Sequence, residues 1–121
     1  MKLLLDEHIS PMVARGLSDA AGLMVAALRD WQGGAYLEAP DVMILHAAAT
    51  GGWTLVTYDL RTIPALLKDW GEQGITHGGV ILVDERTIAQ NDIGGLIRAL
   101  SHLVVSSGAE SWDNRIVFLS R

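Results

Sequence analysis

Hydrophobic residues along the chain alternate between short continuous runs and longer stretches with helical spacing. Continuous runs bounded by glycine or acidic residues are typical of strands buried on both faces. Stretches whose apolar positions recur every three or four residues are typical of helices. The predicted strands are KLLL (2–5), LMVAAL (23–28), WTLVTY (53–58), GGVILVD (78–84) and NRIVFLS (114–120). The predicted helices are MVARGLSDAAG (12–22), PDVMILHAAATGG (40–52), RTIPALLKDWGEQG (61–74) and NDIGGLIRALSHLVVSS (91–107).

Three of the predicted helices carry specific boundary signals. In the first, Val13, Leu17 and either Ala20 or Ala21 share one face, and Gly22 is the predicted stop. In the second, Pro40 fits the first turn, and Gly51 and Gly52 follow the end. The third is expected to start near Pro64, since proline favours the first turn of a helix.

The order of these elements is β-α-β-α-β-α-β-α-β. Strands that alternate with helices favour a parallel sheet with right-handed crossover connections. The sequence therefore predicts a three-layer α/β/α sandwich with a mainly parallel sheet of about five strands. No linker or repeat interrupts the pattern, so we expect one domain over residues 1–121.

Composition narrows the possible functions. Half of the residues are hydrophobic, there are no cysteines, and the net charge is −5 with only two lysines. The absence of cysteine excludes disulfides and thiolate zinc sites. No secretory signal and no apolar run of membrane-spanning length is present, so we expect a cytoplasmic protein without a membrane partner. Proteins that coat nucleic acid are usually basic, so contact with a polyanion would need positive charge from another source, for which a divalent cation is the obvious candidate.

Carboxylates follow several of the predicted strands. Binding crevices in parallel sheets lie outside the carboxyl ends of the strands, so these side chains are predicted to meet at one edge. An aspartate at the end of a strand can also cap the helix that follows. For any one of these aspartates, capping is the alternative interpretation. Crowded carboxylates repel one another unless a cation joins them, and Mg²⁺ and Mn²⁺ prefer such oxygen ligands. The strand-end acids are Asp6, Glu7, Asp59, Asp84 and Glu85, and Asp41 joins them at the start of the helix that leads into the third strand.

Three segments of the chain resemble a known family. They are KLLLDEHISPMVARGL, APDVMILHAAATGGWTLVTYDL and HGGVILVD, which together cover most of the sequence. The chain resembles a PIN-like domain of the small branch related to the toxins of bacterial toxin–antitoxin pairs (the domain of unknown function 5615 type). The resemblance implies a metal-dependent ribonuclease with Mg²⁺ or Mn²⁺ as cofactor, RNA as substrate and a possible antitoxin protein as partner.

The resemblance also implies a set of site residues. Asp6, Asp41 and Asp59 match the family's acids, with Asp6 and Asp59 as metal ligands and Asp41 as a ligand or outer-sphere base. Related sequences often carry a further acid just after the position of Asp59, but here the chain reads LRTIP. A fourth acid would then be Glu7 or Asp84, as weaker metal-ligand candidates, or would be missing.

Two more residues are candidates for substrate binding. Thr57 can orient Asp59 or a water at the metal. Arg61 can meet the scissile phosphate, because a guanidinium binds phosphate oxygens in bidentate fashion. The alternative for Arg61 is a surface ion pair with a local acid. Among the tryptophans, Trp31 is the best candidate for ligand or partner contact because glycines follow it in a predicted loop.

Two other functions share the predicted fold. One is a PIN-like interaction module with weak or no catalysis, which the missing acid after Asp59 favours. The other is a phospho-receiver domain, for which Glu7 and Asp59 would supply the acids. A receiver domain would need a lysine after strand five, which this chain lacks. Asp84 also stands where a serine or threonine would close strand four. A homodimer is expected for a chain this apolar.

Overall fold

The computed structural model of the protein describes residues 1–18 and 22–121. Five strands and four α-helices alternate along these residues, with a short 3₁₀ helix after the second strand. The elements are β1 (Lys2–Leu5), α1 (Pro11–Leu17), β2 (Met24–Ala27), the 3₁₀ helix (Trp31–Gly34), α2 (Asp41–Thr50), β3 (Thr54–Thr57), α3 (Thr62–Gln73), β4 (Val80–Leu82), α4 (Ile93–Ser107) and β5 (Ile116–Phe118).

The five strands form one sheet in the order β2-β1-β3-β4-β5, and every neighbouring pair is parallel. The prediction of an α/β fold with a parallel five-stranded sheet is therefore confirmed. β1 lies between β2 and β3, and its residues Leu3, Leu4 and Leu5 are completely buried. This position explains the unbroken apolar run, since a central parallel strand is covered on both faces.

Two hydrophobic cores lie on opposite faces of the sheet. On one face, α1 and α4 pack through residues such as Val13 and Leu96 against Leu3 and Leu5 of β1. On the other face, α2 and α3 pack against Leu4 and its neighbours. The alternation along β1 follows from the strand's period of two residues. The layers are therefore helix, sheet and helix.

Helix boundaries differ from the predicted ones at two places. α1 ends at Leu17, with Ser18 as its C-cap, so the predicted stop at Gly22 is wrong. Ala20 and Ala21, the last predicted positions of that helix, lie outside the described residues. α3 begins at Thr62 and so places Pro64 inside its first turn. Proline is tolerated there because the first N–H groups of a helix have no intrahelical partner.

Trp31 is buried rather than available for contact. Only 8% of the residue is exposed, and its ring packs against Tyr36 and Trp53 at centroid distances of 5.2 and 5.8 Å. The prediction of Trp31 as a ligand or partner contact is therefore wrong. The 3₁₀ helix turns the indole into the core, a conformation that the flanking glycines allow: Gly33 and Gly34 both have positive φ.

Among the helices of the described residues, none has the length and apolar character needed to cross a bilayer.

Candidate functional site

The site lies where the chain changes direction across the sheet. β1 and β3 are neighbours, but β1 leads into α1 on one face and β3 leads into α3 on the other. The two connections diverge and leave a crevice outside the carboxyl ends of these strands. Asp6 directly follows β1, and Asp59 follows β3 by two residues. The N-terminus of α2 brings Asp41 to the same edge.

A cavity of about 300 Å³ occupies this crevice. Its lining combines the three family-matched acids with a fourth carboxylate and three further polar side chains. These residues are Asp6, Glu7, His8, Asp41, Tyr58, Asp59 and Gln90. The structure thus brings together four of the six acids expected at this edge, Asp6, Glu7, Asp41 and Asp59, and leaves Asp84 and Glu85 out of the lining.

Thr57 joins the two strand-end aspartates from beneath the cavity. Its hydroxyl donates a hydrogen bond to Asp6 Oδ2 at 2.7 Å and accepts one from the backbone N–H of Asp59 at 3.0 Å. The other oxygen of Asp6 accepts from the N–H of Glu7 at 2.8 Å. Asp6 is only 7% exposed, so these bonds fix its orientation. Thr57 itself has no exposed surface.

Asp59 shapes the turn into α3. Its Oδ1 accepts hydrogen bonds from the N–H groups of Arg61 at 2.8 Å and Thr62 at 2.7 Å. Burial alone would raise the pKa of Asp59, but these N–H groups and a hydrogen bond from Asp41 hold it below its usual value. Asp59 is therefore the ionised member of the pair that it forms with Asp41.

The pKa of Asp41 shifts in the opposite direction to that of Asp59. Burial, the hydrogen bond to Asp59 and the negative charges of Asp59, Asp6 and Glu7 together raise the pKa of Asp41 from 3.8 to about 6. Two neighbouring carboxylates behave in this way when they share one proton, and the two apparent values then belong to the pair. The cavity therefore concentrates negative charge, and below about pH 6 the proton on Asp41 neutralises part of it.

The cavity's donor set matches the chemistry of a hard divalent cation. Carboxylate oxygens are the ligands that Mg²⁺ and Mn²⁺ prefer, and Mg²⁺ usually takes only one or two of them beside water molecules. Within residues 1–18 and 22–121, no group of three or more His, Cys, Asp or Glu side chains is arranged to hold a metal ion. The residues whose donor chemistry fits such a cation are therefore the carboxylates lining the cavity, Asp6, Asp41 and Asp59 among them.

Of the two candidates for a fourth acid, the structure brings only Glu7 to the cavity. Glu7 lines it and contributes to the raised pKa of Asp41. Asp84 is not among the lining residues, and its carboxylate is bound by the Arg86 side chain at 2.9 and 3.2 Å. A carboxylate already paired with a guanidinium gains less from a cation.

The two candidate substrate contacts lie in different surroundings. Thr57 is buried and its hydroxyl is committed to Asp6 and Asp59, so its geometry gives it a positioning role with no surface for substrate. Arg61 is exposed and lines a neighbouring groove that also includes Asp59. Among the described residues no carboxylate lies within ion-pairing distance of Arg61, so the alternative of a surface ion pair has no support.

Sequence reasoning missed Tyr58 and Gln90. Tyr58 donates its hydroxyl hydrogen to the backbone oxygen of Ile88 at 2.8 Å, and burial followed by the charges of Glu85 and Asp92 raises its pKa to about 12. It therefore stays a neutral wall of the cavity. Its position between Thr57 and Asp59 could have drawn attention to it. Gln90 comes from the connection between β4 and α4, and no pattern in the sequence marks it.

The shared proton predicts a pH dependence of stability. The folded protein keeps the Asp41 proton up to about pH 6, whereas the unfolded chain loses it near 3.8. The folded state thus binds more protons in this window, so this pair makes the free energy of unfolding fall as pH rises through it. Thermal unfolding in EDTA across the window should show a steeper decline for the wild type than for Asp41→Asn. Equal slopes for the two proteins would contradict the shared proton.

A comparison with protein families finds a match over residues 1–77, more than half of the chain, to a model described as a PIN-like domain. The matched range includes β1, α2, β3 and the aspartates Asp6, Asp41 and Asp59. Searches of curated proteins and of solved structures return no match.

Proposed function

Since the chain belongs to the PIN-like domain family, we propose that it is a metal-dependent ribonuclease that hydrolyses RNA phosphodiester bonds at the acidic cavity. The observation that carries this proposal is the clustering of Asp41, Asp59, Asp6 and Glu7 around one cavity, where burial and the neighbouring carboxylates together raise the pKa of Asp41 to about 6. A purely structural cap would need neither the crowding nor the cavity in front of it. Carboxylates that destabilise one another at a strand-end crevice are typical of functional sites.

Each residue has a defined part in this proposal. Asp59 and Asp41 would hold Mg²⁺ or Mn²⁺, and Asp6 would be a further ligand. A cation bound there supplies charge neutralisation at the phosphoryl oxygens and lowers the pKa of the attacking water. If Asp41 lies outside the coordination sphere instead, it would act as an outer-sphere base that accepts the proton of that water. Thr57 keeps Asp6 and the Asp59 backbone in fixed positions.

Arg61 is the proposed contact for the scissile phosphate. It stands two residues after Asp59, in the groove adjoining the acidic cavity, and has no ion-pair partner among the described residues. A guanidinium in this position can offer two parallel N–H groups to phosphate oxygens. It would offset the repulsion between the RNA backbone and the acidic cavity.

The biological setting is proposed from the sequence resemblance. The protein would act in the cytoplasm as a toxin-like component whose antitoxin partner is a separate chain. A homodimer is also proposed. It is supported by the edge strand β5, where Ile116 and Phe118 are 49% and 61% exposed. Apolar side chains on an unpaired strand edge favour association with another chain.

A second candidate function is an interaction module that binds the cation without cleaving RNA. Two observations favour it. Arg61 and Thr62 stand where related chains often carry another acid, and three acidic side chains do not converge on one point within the part of the chain described here. The fold and the family would be the same in this case.

Incubation of the purified protein with mixed-sequence single-stranded RNA separates the two candidates. The ribonuclease proposal predicts cleavage in Mn²⁺ or Mg²⁺ and none in EDTA. The unfolding temperature, measured in parallel, should rise with Mn²⁺ because an ion that binds only the folded state stabilises it. A rise in unfolding temperature without cleavage would favour the interaction module. If the unfolding temperature does not rise and no RNA is cleaved, a functional metal site loses its support.

A further inference from the structure

A second cavity, of about 470 Å³, lies between α4 and the segment that follows β5. Its floor is made of the buried small residues Gly95 and Ala99, and the Asp92 carboxylate packs directly against Gly95. Arg98 and His102 rise from the same helix, four residues apart and thus on one face. Ser120 and Arg121 complete the lining. We refer to this cavity as the basic cleft.

The basic cleft contrasts in charge with the rest of the chain. The protein carries a net charge of −5, yet every polar side chain lining this cleft can donate hydrogen bonds, and the Asp92 carboxylate at its border is paired with Arg121. Arg98 is exposed and has no ion-pair partner among the described residues. A cationic cavity on an acidic protein is a position where an anion gains hydrogen bonds and charge neutralisation together.

The Arg121 side chain is held in place by two contacts, but some of its N–H donors remain free. Its Nη1 donates to the backbone oxygen of Thr87 at 3.3 Å, and its Nη2 lies 3.7 Å from Asp92 Oδ2. Asp92 is occupied elsewhere, because its other oxygen accepts the N–H of Gly95 at 3.0 Å and caps α4. A guanidinium has five N–H donors, so Arg121 retains donors for a ligand, and its side chain is 68% exposed.

Arg98 points toward the edge of the sheet that carries the acidic cavity. Side chains on a helix lean toward its N-terminus. The Arg98 Nη1 accordingly lies 3.3 Å from the position that a Cβ on Gly94 would take, over the first turn of α4. That turn follows the connection leaving the carboxyl end of β4. Gly94 therefore leaves space for the Arg98 guanidinium.

One segment connects the two cavities. The chain between β4 and α4 contributes Gln90 to the acidic cavity, and the same segment holds Arg121 through Thr87 and Asp92. An RNA chain that crossed this segment from the acidic cavity would meet the basic cleft. Grooves that follow a single-stranded backbone use positive side chains in this way.

We propose that the basic cleft binds a phosphate group of the RNA backbone, with Arg98 as its principal ligand and His102, Ser120 and Arg121 as further donors. The identification of RNA rests on the proposed function, whereas phosphate binding does not. The cleft supplies the attraction that the acidic cavity lacks. Its role is to bind the RNA chain, and it takes no part in the hydrolysis of the phosphodiester bond.

Binding of a fluorescein-labelled, mixed-sequence single-stranded RNA in EDTA tests this without any cleavage. Arg98→Gln should weaken binding about tenfold, as expected for one charge-assisted contact. It should also lower the slope of log affinity against log salt by about 0.7, the value for one phosphate contact on a single strand. Lys68→Gln is the matched control, since Lys68 is an exposed cation of α3 on the opposite layer. It should bind almost as the wild type does.

The remaining outcomes separate the two proposals. Arg98-dependent binding by a protein that never cuts RNA would support the basic cleft while the ribonuclease proposal fails. No RNA binding by the wild type, or equal losses in Arg98→Gln and Lys68→Gln, would overturn the basic cleft. Inorganic phosphate should compete with the labelled RNA for the wild type and have less effect on Arg98→Gln. Arg98-dependent binding of phosphate alone, with RNA binding unchanged in Arg98→Gln, would also overturn the RNA assignment.

Discussion

Replacing Asp41 with asparagine is expected to slow RNA cleavage by about 100-fold or more while making the protein more stable at neutral pH. The loss of cleavage follows from the removal of one of the two carboxylates that share the proton and would hold the cation. Loss of an outer-shell partner of a metal site already costs 10- to 100-fold, at order-of-magnitude level, and a ligand should cost at least as much.

The gain in stability has a separate cause. At neutral pH the ionised Asp41 is partly buried and faces Asp59, Asp6 and Glu7, and the shift of its pKa from 3.8 to about 6 measures that unfavourable environment. The full shift would correspond to about 3 kcal/mol. The side chain is partly exposed, so solvent screening leaves roughly 1 kcal/mol. For a domain of this size the unfolding temperature should then rise by roughly 4 °C.

A capping role for Asp41 predicts the opposite sign. Loss of a negative charge from the first turn of α2 would then destabilise the helix by about 0.3–1 kcal/mol. Thermal unfolding in EDTA at neutral pH distinguishes the two. Asp113→Asn is the matched control because Asp113 is exposed and precedes β5, at the opposite edge of the sheet. A lower unfolding temperature for Asp41→Asn than for this control would contradict a crowded site.

Thr57→Val is expected to impair both stability and cleavage. Valine has nearly the shape of threonine but lacks the hydroxyl that donates to Asp6 and accepts from the Asp59 N–H. A buried carboxylate oxygen and a backbone N–H each lose a partner, which should lower the free energy of unfolding by about 1–3 kcal/mol. Asp6 loses its fixed orientation as well, and cleavage should fall by about 10- to 100-fold.

Thr57→Ser tests whether the hydroxyl is the cause. Serine keeps the donor and the acceptor and removes only a buried methyl group. Its cleavage rate should stay close to that of the wild type, although the small cavity costs about 1 kcal/mol. Cleavage rates and urea unfolding of the three proteins would decide this. A serine variant as slow as the valine variant would show that packing, rather than the hydrogen bonds, is what matters at this position.

The fold could be predicted from sequence because each strand carries its own local signal. The unbroken run of β1 requires cover on both faces, and both faces are covered. The same rule that places parallel strands also places their carboxyl ends at one edge. Asp6 and Asp59 could therefore be assigned to one site from their positions after β1 and β3. Asp41 joined them because a helix that leads into β3 begins at that edge.

The parts that could not be predicted depend on contacts between distant residues. The hydrogen bond from Thr57 to Asp6 joins residues 51 apart in the chain. Nothing local distinguishes it from any other buried threonine. Glu7 and Asp84 were equivalent as strand-end acids until the structure paired Asp84 with Arg86. Trp31 was misplaced because a glycine-rich stretch indicates a loop but not the direction in which an aromatic ring points.

Helix ends were the least predictable elements. The start of α3 at Thr62 depends on Asp59, whose carboxylate receives the N–H groups of Arg61 and Thr62. A residue that belongs to the site thus also fixes the beginning of a helix. The proline at position 64 suggested a later start because its own signal is compatible with several positions in the first turn.

The most direct test of the acidic cavity is RNA cleavage in Mn²⁺ by the wild type and by Asp59→Asn, purified in the same way. Asparagine keeps an oxygen that can accept the N–H groups of Arg61 and Thr62, so the turn should survive while the charge is lost. Cleavage by the wild type that EDTA stops and that Asp59→Asn lacks is the predicted result. Equal cleavage by both proteins, or none by either, would contradict a ribonuclease site at this cavity.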